Sequence, residues 1–406
     1  MGPTRVIQGR LLPVSTSERP PGANVAALRK ERGWSRIRLA HKANVSVSLL
    51  SKVEVGDRAL THATAAAVAR AMGLTVAEVL GKVRVQQDDE ESLSALRSAL
   101  RDYDVPGRNT VAEAHIGARL EQVGQYRDGF EVRALMRLLP GLLRDATTHA
   151  YGANSAQGWM ALAEVYSAVY WVAARHRWMD MAELAVTRQR WAVEQKATPL
   201  GVAIAARDRA GAYLNGGDYE GGLALVDRAV AAAEAGLSGQ ERAFAVGVLN
   251  LRGMTLAGRL ADKQEGRREA ERHISSAWRV SEELGTEWNR SAMLFGSMNT
   301  ATHVLATRLD LGTPREALSL ADGIDPVLAG LTPTRTAATR INIARAQVDV
   351  GDRDGALESL AAAYGAAPQM AKLNPMGREV LRVVASLHHR SNPQLLKLAK
   401  LSGVTL

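Results

Sequence analysis

The sequence contains no cysteine and only three phenylalanines among its 406 residues. Without cysteine the chain has neither disulfides nor a thiolate metal site, which fits a reducing cytoplasm. No apolar run approaches the ~18 residues that a membrane helix requires, and no apolar segment with a cleavage site lies near the N-terminus. We therefore expect a cytoplasmic protein with no membrane partner.

Catalytic motifs are also lacking. The sequence has no phosphate-binding GxxxxGK(S/T) loop, no GxGxxG after a strand, no HExxH and no GxSxG. The nine histidines are dispersed, and the neighbours His388 and His389 point to different sides of a helix, which makes them a poor metal pair. We expect no enzymatic activity, no cofactor and no metal.

The formal net charge of the whole chain is +9, and the positive charge is concentrated in its first fifth. Residues 1–84 carry fourteen Lys and Arg against five Asp and Glu, whereas the other 322 residues carry 37 of each sign. All of the excess therefore lies in the N-terminal segment. This predicts a polyanionic partner for that segment. A solvated basic surface without a partner is the alternative.

Turn and capping residues divide this segment into an arm and five short helices. Residues 1–22 are interrupted by prolines and predict a flexible arm. The predicted helices are VAALRKER capped by Asn24, RIRLAHKA capped by Ser35, VSLLSKVE capped by Ser46, a helix from Thr61 through Met72, and VAEVL opened by Thr75. Residues 23–84 are thus predicted as a first domain and residues 85–406 as a second.

From about residue 92 the pattern is helical throughout, with no alternating run typical of strands. Turns recur at intervals of 41, 41, 54 and 39 residues, and similar text follows three of them (GDYEGGLALVDRAV, GTPREALSLADGI, GDRDGALESLAAAY). The turn residues are His176-Arg177, Gly216-Gly217-Asp218, Gly258, Leu311-Gly312-Thr313 and Gly351-Asp352. The pattern predicts an all-α fold, a solenoid of hairpins that bury a continuous core. It resembles degenerate tetratricopeptide repeats, and an irregular helical bundle is the alternative.

The segment WSRIRLAHKANVSVSLLSKVEVGDRAL has the pattern of two helices joined by a tight turn. Ala40 supplies a small residue where the helices touch, and Asn44 stands where the turn needs left-handed backbone. The apolar positions at the crossing are Leu39, Val45, Leu50 and Val53. The segment is similar to the helix-turn-helix of the Xre, or lambda-repressor-like, family, in which the positions of Arg29 and Glu54 are often paired. A protein-binding helical domain without DNA contact is the alternative.

In that family the second helix of the motif enters the major groove of double-stranded DNA. The resemblance implies that Val47, Ser48 and Lys52 face the bases, with Val47 on a thymine methyl and Lys52 on guanine. Phosphate contacts are implied for Arg36, Lys42, Ser51 and Arg58. Because this base-reading set is weak, we expect help from DNA shape, from a homodimer, and from insertion of Arg5 or Arg10 into the minor groove.

The whole arrangement resembles peptide-sensing regulators of the RRNPP family, which act in quorum sensing, and actinobacterial Xre-type regulators with tetratricopeptide-like C-terminal domains. Nine lysines against 42 arginines fit a GC-rich genome. Two interpretations of the second domain remain open. Either it binds a peptide or small-molecule effector that switches the DNA-binding domain, or it is a dimerisation and docking platform without a diffusible ligand, as in some phage repressors and antitoxins.

Polar residues recur at one level of the predicted hairpins. Arg209, Asn250, His303 and Asn342 each lie eight or nine residues before the turn glycine of their hairpin, and Asn299 lies one helical turn from His303. An asparagine amide offers one acceptor and two donors, which suits a peptide backbone, and related receptors use asparagine in this way. One hypothesis is an effector site along this row. The other is that each asparagine ties a neighbouring loop.

Four of the seven tryptophans fall within 33 residues, at Trp159, Trp171, Trp178 and Trp191. Indole rings bury a large apolar area, so they are typical of the core of the first repeats. They also suit the stacking wall of a ligand pocket. Both interpretations stay open at the level of sequence.

Overall fold

The computed structural model describes residues 20–81, 87–387 and 392–402 of the chain. Within these ranges the protein has twenty-two helices and one two-stranded sheet, so the fold is all-α as predicted. None of the helices in these ranges has the length and apolar character needed to cross a membrane. The expected domain boundary at residues 84 and 85 lies outside the described residues, as do Arg5, Arg10, His388 and His389.

Five helices form the N-terminal domain, which we call the head: α1 (Pro21–Glu31), α2 (Arg36–Lys42), α3 (Val47–Val55), α4 (His62–Met72) and α5 (Val76–Leu80). Ser35, Ser46, Thr61 and Thr75 each accept a hydrogen bond from a backbone N–H in the first turn of the following helix. These four predicted N-caps are confirmed. The φ of 51° at Asn44 confirms the left-handed turn between α2 and α3.

The N-cap predicted at Asn24 is wrong. The first helix begins three residues earlier, at a proline, which lacks an N–H and suits the first helical position. Asn24 Nδ2 instead donates to the carbonyl oxygens of Glu78 (2.8 Å) and Val79 (2.9 Å), which ties α1 to α5. At Gly22 a Cβ would lie 1.9 Å from the carbonyl oxygen of Val53, so only glycine lets α1 approach α3 this closely. The first helix of the head therefore begins at Pro21, two residues inside the segment predicted to be the arm.

The rest of the chain is a stack of helical hairpins. After α6 (Gln87–Arg101) the six hairpins are α7 (Glu113–Asp128) with α8 (Val132–Ala153), α9 (Ala156–Arg175) with α10 (Met179–Gln195), α11 (Pro199–Gly216) with α12 (Tyr219–Gly236), α13 (Gly239–Ala257) with α14 (Lys263–Leu284), α15 (Ser297–Asp310) with α16 (Pro314–Ala321), and α18 (Pro333–Val350) with α19 (Arg353–Ala366). The remaining helices are α17 (Asp325–Ala329), α20 (Pro368–Leu373), α21 (Pro375–Leu387) and α22 (Pro393–Ser402).

The first helix of each hairpin packs on the first helix of the next, and each second helix lies between two first helices. We call α7, α9, α11, α13, α15 and α18 the inner helices. The predicted turns end five of them, and Gly217, Gly312 and Gly351 take φ values of 81°, 86° and 89° there. Such values favour glycine, which explains why this residue recurs in the sequence repeat.

The expectation of a purely helical pattern after residue 92 is wrong at one place. Between α14 and α15 the chain forms β1 (Trp288–Arg290) and β2 (Met293–Phe295), an antiparallel hairpin. Ser291 and Ala292 form its tip with φ of 52° each, the left-handed conformation that a two-residue hairpin turn requires. Because neither residue is typical of that turn, no motif signals it. The one available signal is the 54-residue interval between turns, the longest of the series.

The head packs on the turns at one edge of this stack. Arg177, between α9 and α10, donates through Nη1 to the carbonyl oxygens of Leu80 (2.8 Å) and Gly81 (2.6 Å). Arg70 on α4 donates to the carbonyl oxygen of Gly217, between α11 and α12 (3.2 Å). Apolar side chains of the head and of α11 to α15 belong to one continuous core cluster. The head is thus joined to several hairpins at once.

Contacts with later hairpins extend this interface. The backbone N–H of Leu60 donates to the carboxylate of Glu379 on α21. Arg58 lies 3.7 Å from the carboxylate of Asp349 at the end of α18. The head therefore reaches from the α9–α10 turn to α21, along most of the stack.

A buried ion cluster lies beside the start of α4. Asp310 accepts hydrogen bonds from Arg259 Nε and Arg345 Nη1, both at 2.8 Å. Burial alone would raise the pKa of Asp310, but the two guanidinium groups outweigh it and the pKa lies well below its usual range. Burial, followed by the charge of Arg259, lowers the pKa of His62 to about 3, and Arg345 and Arg177 add to this while Asp310 opposes it. His62 is therefore neutral where the head meets the repeats.

We predict that acid weakens the docking of the head. A histidine with a lowered pKa in the folded state contributes stability that is present above its ordinary pKa of 6.5 and is lost as pH falls from 6.5 toward 3. His62→Gln removes the titration while keeping a polar side chain. The denaturant midpoint of the wild type should fall over this pH range, and that of His62→Gln should fall less. His41→Gln, at an exposed position on α2, is the control and should follow the wild type. Equal acid sensitivity of wild type and His62→Gln would contradict the prediction.

Candidate nucleic-acid interface and effector row

The crossing of α2 and α3 is built by the residues that the sequence pattern predicts. Leu39, Leu50 and Val53 are fully buried, Ala40 is buried, and Val45 is half-buried against the same core. Because this side of α3 faces the core, its opposite side faces solvent. The motif therefore holds α3 as a rigid, projecting helix.

An ion pair fastens α1 to α3 behind this face. Arg29 donates through Nε (2.6 Å) and Nη2 (2.8 Å) to the two carboxylate oxygens of Glu54, and through Nη1 to the carbonyl oxygen of Trp34 (2.8 Å). Burial would raise the pKa of Glu54, but hydrogen bonds from Arg29 and Arg36 outweigh it, and the pKa is lowered overall. The carboxylate is thus ionised. It holds α3 in a fixed position against α1 through Arg29 and against α2 through Arg36.

Arg36 is the phosphate candidate that this ion pair modifies. Its Nε donates to Glu54 at 2.7 Å, and 47% of its side chain remains exposed. The expectation treated Arg36 as a free cation, whereas the structure shows it tied to a buried carboxylate. Removing Arg36 would therefore disturb α3 as well as any phosphate contact.

The three residues expected to read bases all lie on the exposed side of α3. Val47 is 43% exposed, and Ser48 and Lys52 are exposed as well. Ser48 and Lys52 are four residues apart and so share one side of the helix. Ser46 accepts the hydrogen bond from Leu49 N–H that begins α3, which agrees with a structural role for this serine.

The phosphate candidates beside α3 differ in their surroundings. Lys42 is exposed, with Nζ 5.4 Å from the centroid of the Trp34 ring. Ser51 is half-buried, and Arg58 is shared with the repeat domain through Asp349. Lys42 is therefore the cleanest cation of this set for a test of phosphate contact.

Two further exposed residues on α2 escaped the sequence reasoning. Arg38 is exposed with its guanidinium 4.9 Å from the Trp34 ring centroid, and Ile37 is 68% exposed. One feature of the sequence could have indicated a phosphate contact for Arg38. It lies in the first turn after the Ser35 cap, at the same end of α2 as Arg36. A groove-binding α3 would bring this end of α2 to the DNA backbone.

The expected effector row does not form as a set of free amides. Asn250 is buried, its Nδ2 donates to the carbonyl oxygen of Val246, and its Oδ1 lies 2.8 Å from Nδ1 of His273 on α14. Asn299 is buried, and its Nδ2 donates to the carbonyl oxygen of Leu294 in the β-hairpin. Both asparagines tie neighbouring elements together, which was the alternative interpretation.

The other members of the row are half-buried on inner helices. Asn342 lies on α18, and Arg209 lies on α11 with its guanidinium 5.9 Å from the Tyr213 ring centroid. Burial, then nearby positive charge, lowers the pKa of His303 on α15 well below its usual range. The charges come from Arg335, Arg207 and Arg252. The repeat of polar residues at one level of the turns does not indicate these three arginines, because they lie at different distances from their turn glycines.

Two of the four clustered tryptophans pack with other aromatic rings, and a ligand pocket at Trp171 stays a prediction. Trp159 and Trp191 meet edge to face with ring centroids 5.5 Å apart, and Tyr103 packs on Trp191 at 4.9 Å, so this group is core. Trp171 lies at the end of inner helix α9, beneath the guanidinium of Arg175 at 3.5 Å from its ring centroid. The guanidinium of Arg127 on α7 lies 5.7 Å from the same ring centroid.

A protein-family model described as Helix-turn-helix matches residues 25–79, which span the five helices of the head. The head is thus a helix-turn-helix domain of the kind found in DNA-binding transcription regulators. No curated protein sequence matches the chain. A solved structure of a PrgX mutant matches with 10% identity over 94% of this chain and 99% of that chain, at a TM-score of 0.24. A TM-score this low supports no conclusion about fold or function.

We predict that Arg29→Ala destabilises the head because it leaves the buried Glu54 carboxylate with only the half-exposed Arg36. Breaking a buried pair by removing one partner costs about 3–5 kcal/mol. Amide hydrogen exchange in α1 and α3 should accelerate strongly. Lys30→Ala, at the exposed next position of α1, should change exchange little. Similar exchange in the two variants would show that the ion pair does not hold the head together.

Proposed function

We propose that the protein is a sequence-specific DNA-binding transcription regulator whose head reads DNA through α3 and whose repeat domain senses an effector and joins two copies of the chain. The observation that carries this proposal is the exposed side of α3 in a helix-turn-helix head, within the segment that holds all of the excess positive charge. Such charge attracts the phosphate backbone, and α3 supplies the groove contacts.

The contacts between head and repeats support a sensing role. The head is hydrogen-bonded to the turns that end inner helices α9 and α11, through Arg177 and Gly217. A ligand that changes the spacing of the inner helices would therefore change the position of the head. Coupling requires a ligand that binds one arrangement more tightly than the other.

A homodimer would allow the protein to recognise a specific DNA site. A single head of five short helices buries little DNA surface, and specific sites are typically recognised by larger interfaces. Two heads held by paired repeat domains would read half-sites about one helical turn apart. We place the dimer contact in the repeat domain because the head already uses one side for docking and the other for DNA.

One observation favours the alternative, a docking platform without a diffusible ligand. A shallow apolar groove between α11 and α12 is lined by Pro199, Val202, Ala203, Ala229 and Ala233. Val202 is 42% exposed in it. Such a surface suits a protein partner, and effector-independent DNA binding would favour this alternative.

We predict that Lys52→Ala relaxes base preference at one position of each half-site. Loss of a base contact costs about 1–3 kcal/mol at the preferred sequence, which is roughly five- to 150-fold in affinity. Lys42→Ala removes an exposed cation outside the base-reading side and should weaken all sequences about equally. Selection of bound DNA fragments by each variant measures both effects. If Lys42→Ala changed base preference and Lys52→Ala did not, the assigned roles would be reversed.

We also predict a homodimer with a palindromic site. Sedimentation at micromolar concentration should give twice the mass of the chain, and the selected DNA should contain two inverted half-sites. The DNA-free protein should already be dimeric, since the contact lies in the repeat domain. A monomer that selects a non-palindromic site would contradict this part of the proposal.

A further inference from the structure

Arginines on five of the six inner helices act on one another through their charges, and we call them the arginine cluster. Its members are Arg127 on α7, Arg175 on α9, Arg207 on α11, Arg252 on α13 and Arg335 on α18. The charge of Arg207 lies near enough to lower the pKa of each of the other four, in addition to the larger effect of burial. The inner helices therefore curve far enough to bring α9, α11 and α18 toward one region.

The cluster contains guanidinium N–H groups that no protein acceptor satisfies. Arg127 is 9% exposed, and its Nη1 is buried with no hydrogen-bond partner among the described residues. In the same ranges, Nε of Arg252 is buried without a partner. Buried polar groups in native proteins are nearly always paired, so these atoms point to an acceptor other than the described residues of the chain. Guanidinium groups remain charged at neutral pH, and the pKa of Arg252 is about 10 even after burial.

One carboxylate near the cluster is already fully engaged. Asp208 accepts hydrogen bonds from Ser167 Oγ (2.6 Å), Gln189 Nε2 (3.2 Å) and Arg207 Nη1 (2.8 Å). It holds Arg207 in place, and its charge also raises the pKa of Arg127 and of Arg252 against the larger effect of burial. In the described part of the chain, none of the other four arginines forms an ion pair with a carboxylate.

The remaining carboxylates in reach are weak partners. Glu164 on α9 accepts a hydrogen bond from Ser291 at the tip of the β-hairpin (3.3 Å), and burial raises its pKa. Asp128 lies next to Arg127 at the end of α7, and partial burial raises its pKa too. Among the described residues, these three carboxylates thus act on the charges of the cluster. The β-hairpin tip, by reaching α9, bounds the cluster on one side.

Gly211 and Trp171 help to position members of the arginine cluster. A Cβ at Gly211 on α11 would lie 2.2 Å from Tyr170 Oη and 3.2 Å from Arg252 Nη2, so glycine permits both groups to approach α11. Trp171 supports two members, with Arg175 at 3.5 Å and Arg127 at 5.7 Å from its ring centroid. Arg175 is exposed, and its Nη1 donates to the carbonyl oxygen of Trp171 (3.0 Å). Stacking on the indole fixes the plane of its guanidinium and leaves the other N–H groups to donate elsewhere.

We propose that the arginine cluster is the binding site of a small anionic ligand that carries two or more carboxylate or phosphate groups. Carboxylates and phosphates accept paired N–H bonds from the guanidinium fork, and a ligand with several of them would satisfy the unpaired donors and offset the mutual repulsion. Calling this ligand the effector rests on the proposed function, whereas the binding site itself does not.

The test uses two probes of known chemistry, pyrophosphate and tricarballylate, with glycerol as the uncharged comparison. Calorimetric titration of the full-length protein at low salt should show one site per chain for at least one of the two anions and none for glycerol. Binding of one anion alone identifies its group, phosphate or carboxylate, as the one recognised. Binding of neither overturns the proposal.

Variants locate the site. Arg252→Gln and Arg335→Gln should each weaken binding of the anion about tenfold or more, since a hydrogen bond to a charged group is worth at least that factor. Arg228→Gln removes an exposed arginine on outer helix α12 and should have little effect. Lys52→Ala removes a cation of the DNA-binding side and should also leave binding unchanged. Equal losses in all four variants would mean diffuse attraction to surface charge and would overturn the proposal.

Melting temperatures separate loss of the site from loss of the fold. Because the cluster carries uncompensated repulsion, Arg252→Gln should melt at or above the wild-type temperature without ligand, yet gain less on adding the anion. A wild-type protein that gains nothing from the anion would contradict the proposal. DNA affinity measured with and without the anion then tests the effector role alone. Binding at the cluster with unchanged DNA affinity would refute sensing by this site and leave the anion site standing.

Discussion

The attachment of the head to the turn edge of the hairpin stack is the constraint on which the rest of the structure depends. Arg177 and Gly217 bond to the head from two successive turns, while Asp349 and Glu379 reach it from the far end of the stack. Each hairpin alone cannot bury its own apolar face. The head shares an apolar core with α11 to α15, so its orientation and the curvature of the inner helices are determined together.

Local chemistry made much of this structure predictable. The caps at Ser35, Ser46, Thr61 and Thr75 depend on neighbours within one helical turn, and so does the left-handed turn at Asn44. The side of α3 that faces solvent also follows from the apolar spacing. The repeat of turn glycines likewise revealed the hairpins, because a helix end that needs positive φ selects glycine wherever it occurs.

Partners distant in sequence explain what the sequence could not show. Asn24 looked like a cap, but its amide finds the carbonyl oxygens of α5 more than fifty residues away. Asn250 looked free for a ligand, but His273 of the next helix occupies it. The arginine cluster was hidden for a related reason. The repeat domain carries equal numbers of acidic and basic residues, and such a balance says nothing about which of them meet across the curve of the inner helices.

A solenoid whose units touch only their neighbours tolerates gain or loss of a unit, because each interface is renewed locally. The head removes this tolerance here, because it contacts turns near both ends of the stack. These contacts can form only when the two sets of turns are a fixed distance apart. Duplication of one hairpin would carry Asp349 and Glu379 out of reach while Arg177 stayed in place. The attachment of the head therefore fixes the number of hairpins between the α9–α10 turn and α21.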